Sequence, residues 1–296
     1  MPKPVIARYF ADPAVLAQVT RDFRHLIRAI NTSRGEYTLQ LREDSFNVYY
    51  RGSSLASVRP TGKRYSVRIH RRFLECPVDD PVLERLSQYS DGPPFGGTGD
   101  SPSNIRFYVQ PDDLRLFFRS EHMRAIASNI ARVNYSEELA FEQVLMTDNP
   151  PSETLIVIDR QVADHAWNRQ MDLLALARDS ASGPFYFLVI EVKMGKNPEL
   201  REKVGQQLTD YMGHIRENMD DYVDCYRMNY RQKKSMGLLG AAFPNNVQIE
   251  ERVEGLVVTG GYTLRSEEAT ENLLQEYPGI RVQIMKNVIN PIRSQR

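Results

Sequence analysis

The stretch FYFLVIEVK, residues 185–193, decides how this chain folds. Its run FYFLVI is apolar on both alternating sets of positions, which predicts a strand covered on both faces of a sheet. The run ends in Glu191 and Lys193, which flank Val192. Because side chains alternate along a strand, Glu191 and Lys193 project from the same face. The sequence therefore predicts a buried strand that carries an acid and a base at its end.

A second apolar strand, predicted from Gln170 to Ala177, contains Asp172. A carboxylate among apolar neighbours is costly unless it is paired or binds a cation. The linker Arg178–Pro184 is short, which predicts that the two strands are hairpin neighbours. We therefore expect Asp172 and Glu191 to converge on one cation. Mg²⁺ suits this site because it prefers oxygen ligands and keeps several waters, and a lysine beside it can orient or deprotonate a water or offset charge on a phosphate.

The elements around these strands alternate between helix and strand. Asn134 or Ser136 can cap a helix that runs to about Met146, and Asn197-Pro198-Glu199 begins another. The predicted order in this half is helix, three strands, helix, strand, helix, strand, with the remaining strands at Leu155–Ile158, Val253–Thr259 and Ile280–Met285.

The spacing of Asp172 and Glu191-Val192-Lys193 resembles the PD-(D/E)xK nuclease superfamily, which includes restriction endonucleases and many repair nucleases. The resemblance covers about residues 134–284. It implies an α/β fold with a restriction-endonuclease-like central mixed sheet flanked by helices. It also implies hydrolysis of phosphodiester bonds that depends on Mg²⁺, with Mn²⁺ as a substitute. The expected activity is that of an endo- or exodeoxyribonuclease in repair, restriction or defence.

The resemblance also implies roles for residues on two helices. In the superfamily, the helix before the first strand often supplies a Glu, and here Glu142 or Glu138 fits, with Glu142 favoured because it follows an apolar segment. The helix after the third strand often carries a Gln and, four residues on, a Tyr; Gln207 and Tyr211 match, and Gln206 rivals Gln207.

These matches imply two overlapping sets of residues. The implied metal ligands, for one or two Mg²⁺, are Glu142 or Glu138, Asp172, Glu191 and the backbone carbonyl of Val192. The implied catalytic residues are Asp172, Glu191, Lys193, Gln207 and Tyr211, with Lys193 positioning the attacking water.

The first part of the chain lies outside the resemblance. We predict an N-terminal α+β region over residues 1–130, serving as a recognition or partner surface, and the nuclease-like domain over residues 131–296. A helix capped by Asp12 is followed, from Glu36 to His70, by alternation that predicts a small antiparallel meander. Residues 91–104 are rich in Gly, Pro and Ser and predict a mobile loop.

A basic stretch within this region, RPTGKRYSVRIHRR at residues 59–72, contains no acid. On a strand, Arg64, Arg68 and Arg72 would share one face and suit a phosphate backbone. We therefore predict nucleic-acid contact at Arg64, Arg68, Arg71 and Arg72. The alternative is a solvated edge strand, since sheet edges are often protected by charge.

Composition limits the classes of function. The 38 basic and 38 acidic residues give no net charge, so contact with a polyanion must come from local patches. Cys76 and Cys225 lack metal-ligand spacing, which favours a reducing compartment. No apolar run is long enough to span a bilayer, so we expect a cytoplasmic protein without membrane contact.

DNA is the expected partner, with RNA and a homodimer left open. Two competing hypotheses remain. One is a catalytically inactive nucleic-acid-binding module. The other is a structural or assembly protein that kept the fold and uses these carboxylates only in ion pairs.

Overall fold

The computed structural model describes residues 3–74, 98–101, 103–134, 136–261 and 264–285. The chain begins with helices α1 (Pro13–Asp22) and α2 (Arg24–Thr32). The Asp12 side chain accepts a hydrogen bond of 2.7 Å from the Ala14 amide, which confirms the predicted cap. The single helix expected here is broken at Phe23, whose ring is fully buried.

The first sheet is larger than the predicted meander and is antiparallel throughout. Its strands are β1 (Tyr37–Arg42), β2 (Ser45–Tyr50), β3 (Ser53–Thr61), β4 (Arg64–His70), β5 (Thr98–Ser101) and β6 (Asn104–Val109). They lie in the order β1-β2-β3-β4-β6-β5. The meander is confirmed as β1 to β4, with Arg51 and Gly52 both at positive φ in the turn between β2 and β3. Part of the predicted mobile loop is strand β5, and its residues 91–97 lie outside the described residues.

The two faces of the first sheet differ in polarity. On β4, Tyr65, Val67 and Ile69 belong to a core that also contains residues of α1, α2, α3 (Pro111–Phe117) and α4 (Ser120–Val133). The alternate residues of β4, Arg64 and Arg68, are exposed on the opposite face. The sheet therefore has one face buried by helices and one polar face.

The second sheet is mixed. Its strands are β7 (Leu155–Val162), β8 (Met171–Ala177), β9 (Phe185–Met194), β10 (Ile249–Gly260) and β11 (Ile280–Ile284), in the order β11-β10-β9-β8-β7. Strand β10 is parallel to β9 and β11, whereas β8 is antiparallel to both of its neighbours. The helices of this half are α5 (Glu137–Asp148), α6 (Glu199–Glu202), α7 (Val204–Glu217), α8 (Met219–Ser235) and α9 (Leu264–Glu276).

Helices cover both faces of the second sheet. One core joins β7, β8 and β9 to α7, α8 and α9, and the other joins β8, β9 and β10 to Leu145 of α5. This burial explains why FYFLVI is apolar on both sets of positions. The fold is thus mixed α/β, built around two sheets.

Helix α8 was not expected from the sequence. Its inward face carries Tyr222, Tyr226 and Tyr230, which are fully buried although the helix is rich in charged residues. Their hydroxyls bind polar partners: Tyr226 donates to Asp159 Oδ2 over 3.1 Å and Tyr230 to the Pro244 carbonyl over 2.8 Å. The sequence showed no clear helical spacing of apolar residues here, because the tyrosines that form the inward face are less apolar than aliphatic residues.

The two halves share buried residues. Ile6 packs in the core of the second sheet, and Met236 packs in the core of the first. Arg42 of β1 donates a 2.7 Å hydrogen bond to Asp159 of β7. Among the described residues, no helix is both long and apolar enough to cross a membrane.

Candidate active site

Asp172 and Glu191 lie on adjacent antiparallel strands, as predicted. Leu173 of β8 is opposite Ile190 of β9. Because the two strands are antiparallel, continuing this register by one residue places Asp172 opposite Glu191. The Val192 amide donates a 2.8 Å hydrogen bond to Asp172 Oδ2. This bond anchors the Asp172 carboxylate beside Glu191, at the end of the apolar part of both strands.

Lys193 is held between two carboxylates. Its Nζ lies 3.1 Å from Glu191 Oε1 and 3.4 Å from Glu199 Oε2 of α6. Lys193 is 6% exposed and Glu191 only 2%. The role of Glu199 was missed from the sequence, where it was interpreted only as an acid in the first turn of a helix. It gives the lysine a second partner that could hold it if Glu191 bound a cation.

The two candidate glutamates of α5 reach the same region but have different partners. Glu142 Oε2 accepts a 2.8 Å hydrogen bond from Arg160, which is fully buried. Glu138 Oε1 accepts bonds from the Met194 amide over 3.2 Å and from Asn197 Nδ2 over 2.7 Å. Both carboxylates therefore have hydrogen-bond donors, and the choice between them stays open.

Asp172, Glu191 and Glu142 bind protons more tightly than usual. Burial raises the pKa of Glu191 to about 8, with repulsion from Asp172 adding to the effect. Burial also raises the pKa of Asp172, against the lowering effect of the Val192 amide. The pKa of Glu142 rises to about 7, because burial outweighs the attraction of Arg160.

Lys193 is held in its charged form. Burial alone would lower the pKa of Lys193, but attraction by Glu191 and Asp172 outweighs burial and raises it above the ordinary value. In the metal-free protein the lysine is therefore an ammonium group and not a free base.

The donor set of Asp172 and Glu191 fits a divalent cation. Glu191 Oε2 is buried and has no hydrogen-bond partner, although its other oxygen binds Lys193. A buried acceptor without a partner is costly, and a cation at this oxygen would offset the cost. Within the described parts of the chain, no three His, Cys, Asp or Glu side chains are already arranged around a metal position. Asp172 and Glu191 are thus the two protein ligands that fit a cation as they stand.

Helix α7 carries Gln207 and Tyr211 on its inward side. Gln207 Oε1 is buried without a hydrogen-bond partner, whereas Gln206 is exposed and donates to Asp210 over 2.6 Å. Tyr211 is 2% exposed and donates a 2.8 Å hydrogen bond to the Gln170 carbonyl. Burial, together with repulsion from Glu191 and Asp172, raises the pKa of Tyr211 to about 12. The inward-facing residue of the two glutamines is Gln207.

The predicted basic residues do not form one surface. Arg64 and Arg68 are exposed on the polar face of β4, but Arg71 and Arg72 lie in the 3₁₀ turn that follows it. The prediction that Arg72 shares a strand face with Arg64 and Arg68 is wrong, because the strand ends at His70. The sequence analysis also missed Arg106 of β6, although alternation of Ile105, Phe107 and Val109 indicates a strand there.

Comparisons with known proteins found no match among protein-family models, curated proteins or solved structures. The residues of the site therefore carry the functional assignment. They are the buried Glu191 and the half-buried Asp172, both of raised pKa, and a charged lysine between acids.

Proposed function

We propose that this protein is a Mg²⁺-dependent nuclease that hydrolyses phosphodiester bonds of DNA, in repair, restriction or defence. One observation carries the proposal: Asp172 and Glu191 lie opposite each other at the end of two buried strands, with Glu191 Oε2 lacking a partner. Lys193 beside them is a buried ammonium group. Acidic side chains whose pKa is strongly shifted, and which share a site with a cationic side chain, are typical of catalytic centres.

We further propose that the second sheet and its helices form the restriction-endonuclease-like core. Support comes from the order α5-β7-β8-β9-α6-α7-α8-β10, from the mixed sheet with helices on both faces, and from the motif residues at the ends of β8 and β9. The region from residue 131 onward would then be the nuclease-like domain.

Each side chain has a defined task in this proposal. Asp172 and Glu191, with Glu142 or Glu138 and the Val192 carbonyl, would hold the metal. Bound Mg²⁺ supplies Lewis-acid polarisation of the scissile phosphate and of the attacking water. The ammonium group of Lys193 would donate hydrogen bonds that orient the attacking water or bind an oxygen of the scissile phosphate. Tyr211 fixes the backbone just before Asp172 through its bond to Gln170.

Cleavage assays test the proposal directly. Supercoiled plasmid, linear duplex, single-stranded DNA and RNA are incubated with Mg²⁺, Mn²⁺ or EDTA, using wild type, Asp172→Asn and Lys193→Ala. Arg265→Ala, which removes an exposed arginine of α9, is the control. We expect cleavage that needs metal, is retained by the control and is lost in both site variants. Metal-independent cleavage, or full activity of Asp172→Asn, contradicts the proposal.

The ion pairs of Lys193 with Glu191 and Glu199 also fit a structural or assembly protein. Metal binding separates the two hypotheses, because a ligand that binds only the folded state raises the melting temperature. We expect Mg²⁺ or Mn²⁺ to stabilise wild type and not Asp172→Asn. An inactive binding module would bind DNA without cleaving it.

A further inference from the structure

A pocket lies where elements of the two halves of the molecule meet. Its volume is about 460 Å³, which is a typical size for a small-molecule site. Its described lining comes from α2, β1, α5, β7 and α8, and from the segments that follow the three helices. We name it the inter-sheet pocket, because Thr38 and Gln40 of β1 and Val157 of β7 all line it. Junctions between structural units are frequent positions of ligand sites.

The two charged residues that line this pocket are both cations. They are Arg34, which is exposed, and Lys233, which is only 4% exposed. No Asp or Glu is among the described lining residues. A concave surface lined by one sign of charge concentrates ligands of the opposite sign. The charge of the pocket therefore favours an anion.

Lys233 brings its charge into the interior without a carboxylate of its own. Its ammonium group donates to Gln40 Oε1 over 2.5 Å and to the Ile158 carbonyl. Both acceptors are neutral oxygens, and the nearby Asp159 is already paired with two arginines. A buried charge is costly unless it is paired. Because an ammonium group has three donors, one of them is left for a ligand.

The pKa of Lys233 agrees with this incomplete pairing. Burial lowers the pKa of Lys233 to about 8, although Asp159 attracts the ammonium group. At neutral pH the group is still mainly charged, because this pKa lies above neutrality. An anion beside Nζ would favour the charged form and offset the cost of burying it.

The rest of the lining indicates which kind of anion fits. Thr38 projects from the same face of β1 as Gln40, because side chains alternate along a strand. Its Oγ1 is buried and has no hydrogen-bond partner among the described residues. One ammonium group and one hydroxyl suit a carboxylate, whereas a phosphate carries more charge and more acceptor oxygens. The pocket also has apolar side chains, which would contact a hydrocarbon body: Met146, Val157, Leu238 and Leu239.

Two hydrogen bonds link the pocket to the candidate active site. Gln143 lines the pocket and accepts a 2.8 Å hydrogen bond from Arg160. Arg160 also donates over 2.8 Å to Glu142, one of the two candidate metal ligands of α5. A ligand that shifts Gln143 would therefore shift the partner of Glu142. This position suits a site that regulates the candidate active site.

We propose that the inter-sheet pocket is an effector site for a small organic carboxylate with an apolar body. The carboxylate pairs with the ammonium group of Lys233 and accepts a hydrogen bond from the Thr38 hydroxyl. Binding rests on the pocket itself, whereas an effect on cleavage rests on the proposed nuclease function.

Binding of hexanoate, benzoate and cinnamate tests the site, with the neutral primary amide of each acid as its control. Calorimetric titration in EDTA measures affinity, and thermal unfolding is a second readout, because a ligand of the folded state raises the melting temperature. Lys233→Met is compared with Lys63→Met, which changes an exposed lysine between β3 and β4. We expect saturable binding of at least one acid, weakened about tenfold or more in its amide and in Lys233→Met. Lys63→Met keeps wild-type affinity.

Thr38→Val tests the site without changing a buried charge. It replaces a hydroxyl that has no partner among the described residues with a methyl group of similar size, so we expect the fold to stay as stable as wild type. The acid should bind this variant about tenfold more weakly. If Lys233→Met does not fold, Thr38→Val decides.

Wild-type affinity in a folded Lys233→Met variant, or in Thr38→Val, overturns the proposal. So do amides that bind as tightly as their acids, and so does the lack of saturable binding by every acid.

Cleavage assays with the tightest acid separate this proposal from the nuclease proposal. A cleavage rate that changes with the acid in wild type, and not in Lys233→Met, supports the effector site. Binding that depends on Lys233 but leaves cleavage unchanged rejects the effector role and keeps the carboxylate site. If the wild type binds the acid but never cleaves with Mg²⁺ or Mn²⁺, the nuclease is rejected and the carboxylate site is kept.

Discussion

Two buried carboxylate clusters of this chain have opposite electrostatic character. Burial raises the pKa of Asp159, but attraction by Arg42 and Arg8 outweighs burial and lowers it. Glu191 is also buried, yet the pKa of Glu191 rises to about 8 because of burial and repulsion from Asp172. The difference teaches that burial alone does not mark a functional acid. The Asp159 cluster is complete without a ligand, whereas the Glu191 cluster has more negative charge than its own cations offset.

The largest effect that we expect comes from removing the charge of Asp172 in the Glu191 cluster. Asp172→Asn keeps the size of the side chain but weakens metal binding and the stabilisation of the transition state by several kcal/mol. That loss corresponds to a drop in cleavage rate of about 1,000-fold or more. Rates of metal-dependent cleavage check it, with the Arg265→Ala variant as control. A rate within tenfold of wild type contradicts the assignment of Asp172.

In the Asp159 cluster, we expect a substitution to change the stability of the fold. Asp159→Asn leaves Arg42 and Arg8 buried without their counter-charge, which costs about 3–5 kcal/mol in the free energy of unfolding. Denaturant unfolding measures this loss. Asp224→Asn, at an exposed position of α8, is the control and should unfold as wild type does. A stable Asp159→Asn variant would mean that the cluster is not needed for the fold.

The two clusters also differ in their response to pH. A proton binds Glu191 more tightly in the folded chain than in the unfolded chain, so proton binding at Glu191 stabilises the fold. This stabilisation is complete at pH values below the pKa that Glu191 has in the unfolded chain. It is lost as pH rises through about 8. In EDTA at pH 8, we therefore expect Glu191→Gln to be more stable than wild type by about 1–3 kcal/mol.

Urea denaturation between pH 5 and pH 9 measures this effect. Glu271→Gln, an exposed glutamate of α9, should follow wild type throughout. Mg²⁺ should flatten the wild-type profile, since metal binding requires deprotonated carboxylates. A Glu191→Gln variant that is less stable than wild type at pH 8 would contradict the prediction that the charged form of Glu191 destabilises the metal-free fold. Asp159 acts oppositely: the pKa of Asp159 is lowered, so its contribution is present at neutral pH and is lost in acid.

Much of the second sheet could be predicted from the sequence. The strands with Asp172 and Glu191, their hairpin pairing and the Ser136 cap of α5, whose hydroxyl accepts from the Leu139 amide over 3.4 Å, follow from short-range patterns. Strand β7 extends to Val162 instead of ending at the predicted Ile158, because the charged Asp159 and Arg160, which interrupt the apolar run, also belong to the strand. They are buried within it, each with charged partners from elsewhere in the chain.

The first sheet was predicted less completely. Its meander was predicted, but β5 was not, because Gly, Pro and Ser in residues 91–104 suggest a loop. Strand β6 was also missed, although its apolar residues alternate. The nucleic-acid surface was expected at Arg64 to Arg72, from the basic stretch alone. Of these predicted residues only Arg68 lines a pocket on the polar face of the sheet, where arginines from several elements meet.

The sequence by itself determined the local features of this protein: which strands are buried, where Asp172, Glu191 and Lys193 emerge from them, and that the last two share a face. These follow from periodicity and from the cost of placing charge among apolar residues. Only the tertiary structure decided which charges are compensated. Arg160 meets Glu142 through a pairing between elements that side-chain periodicity does not encode. The physical reason is that compensation depends on distance in space, whereas a strand pattern records only the direction of each side chain.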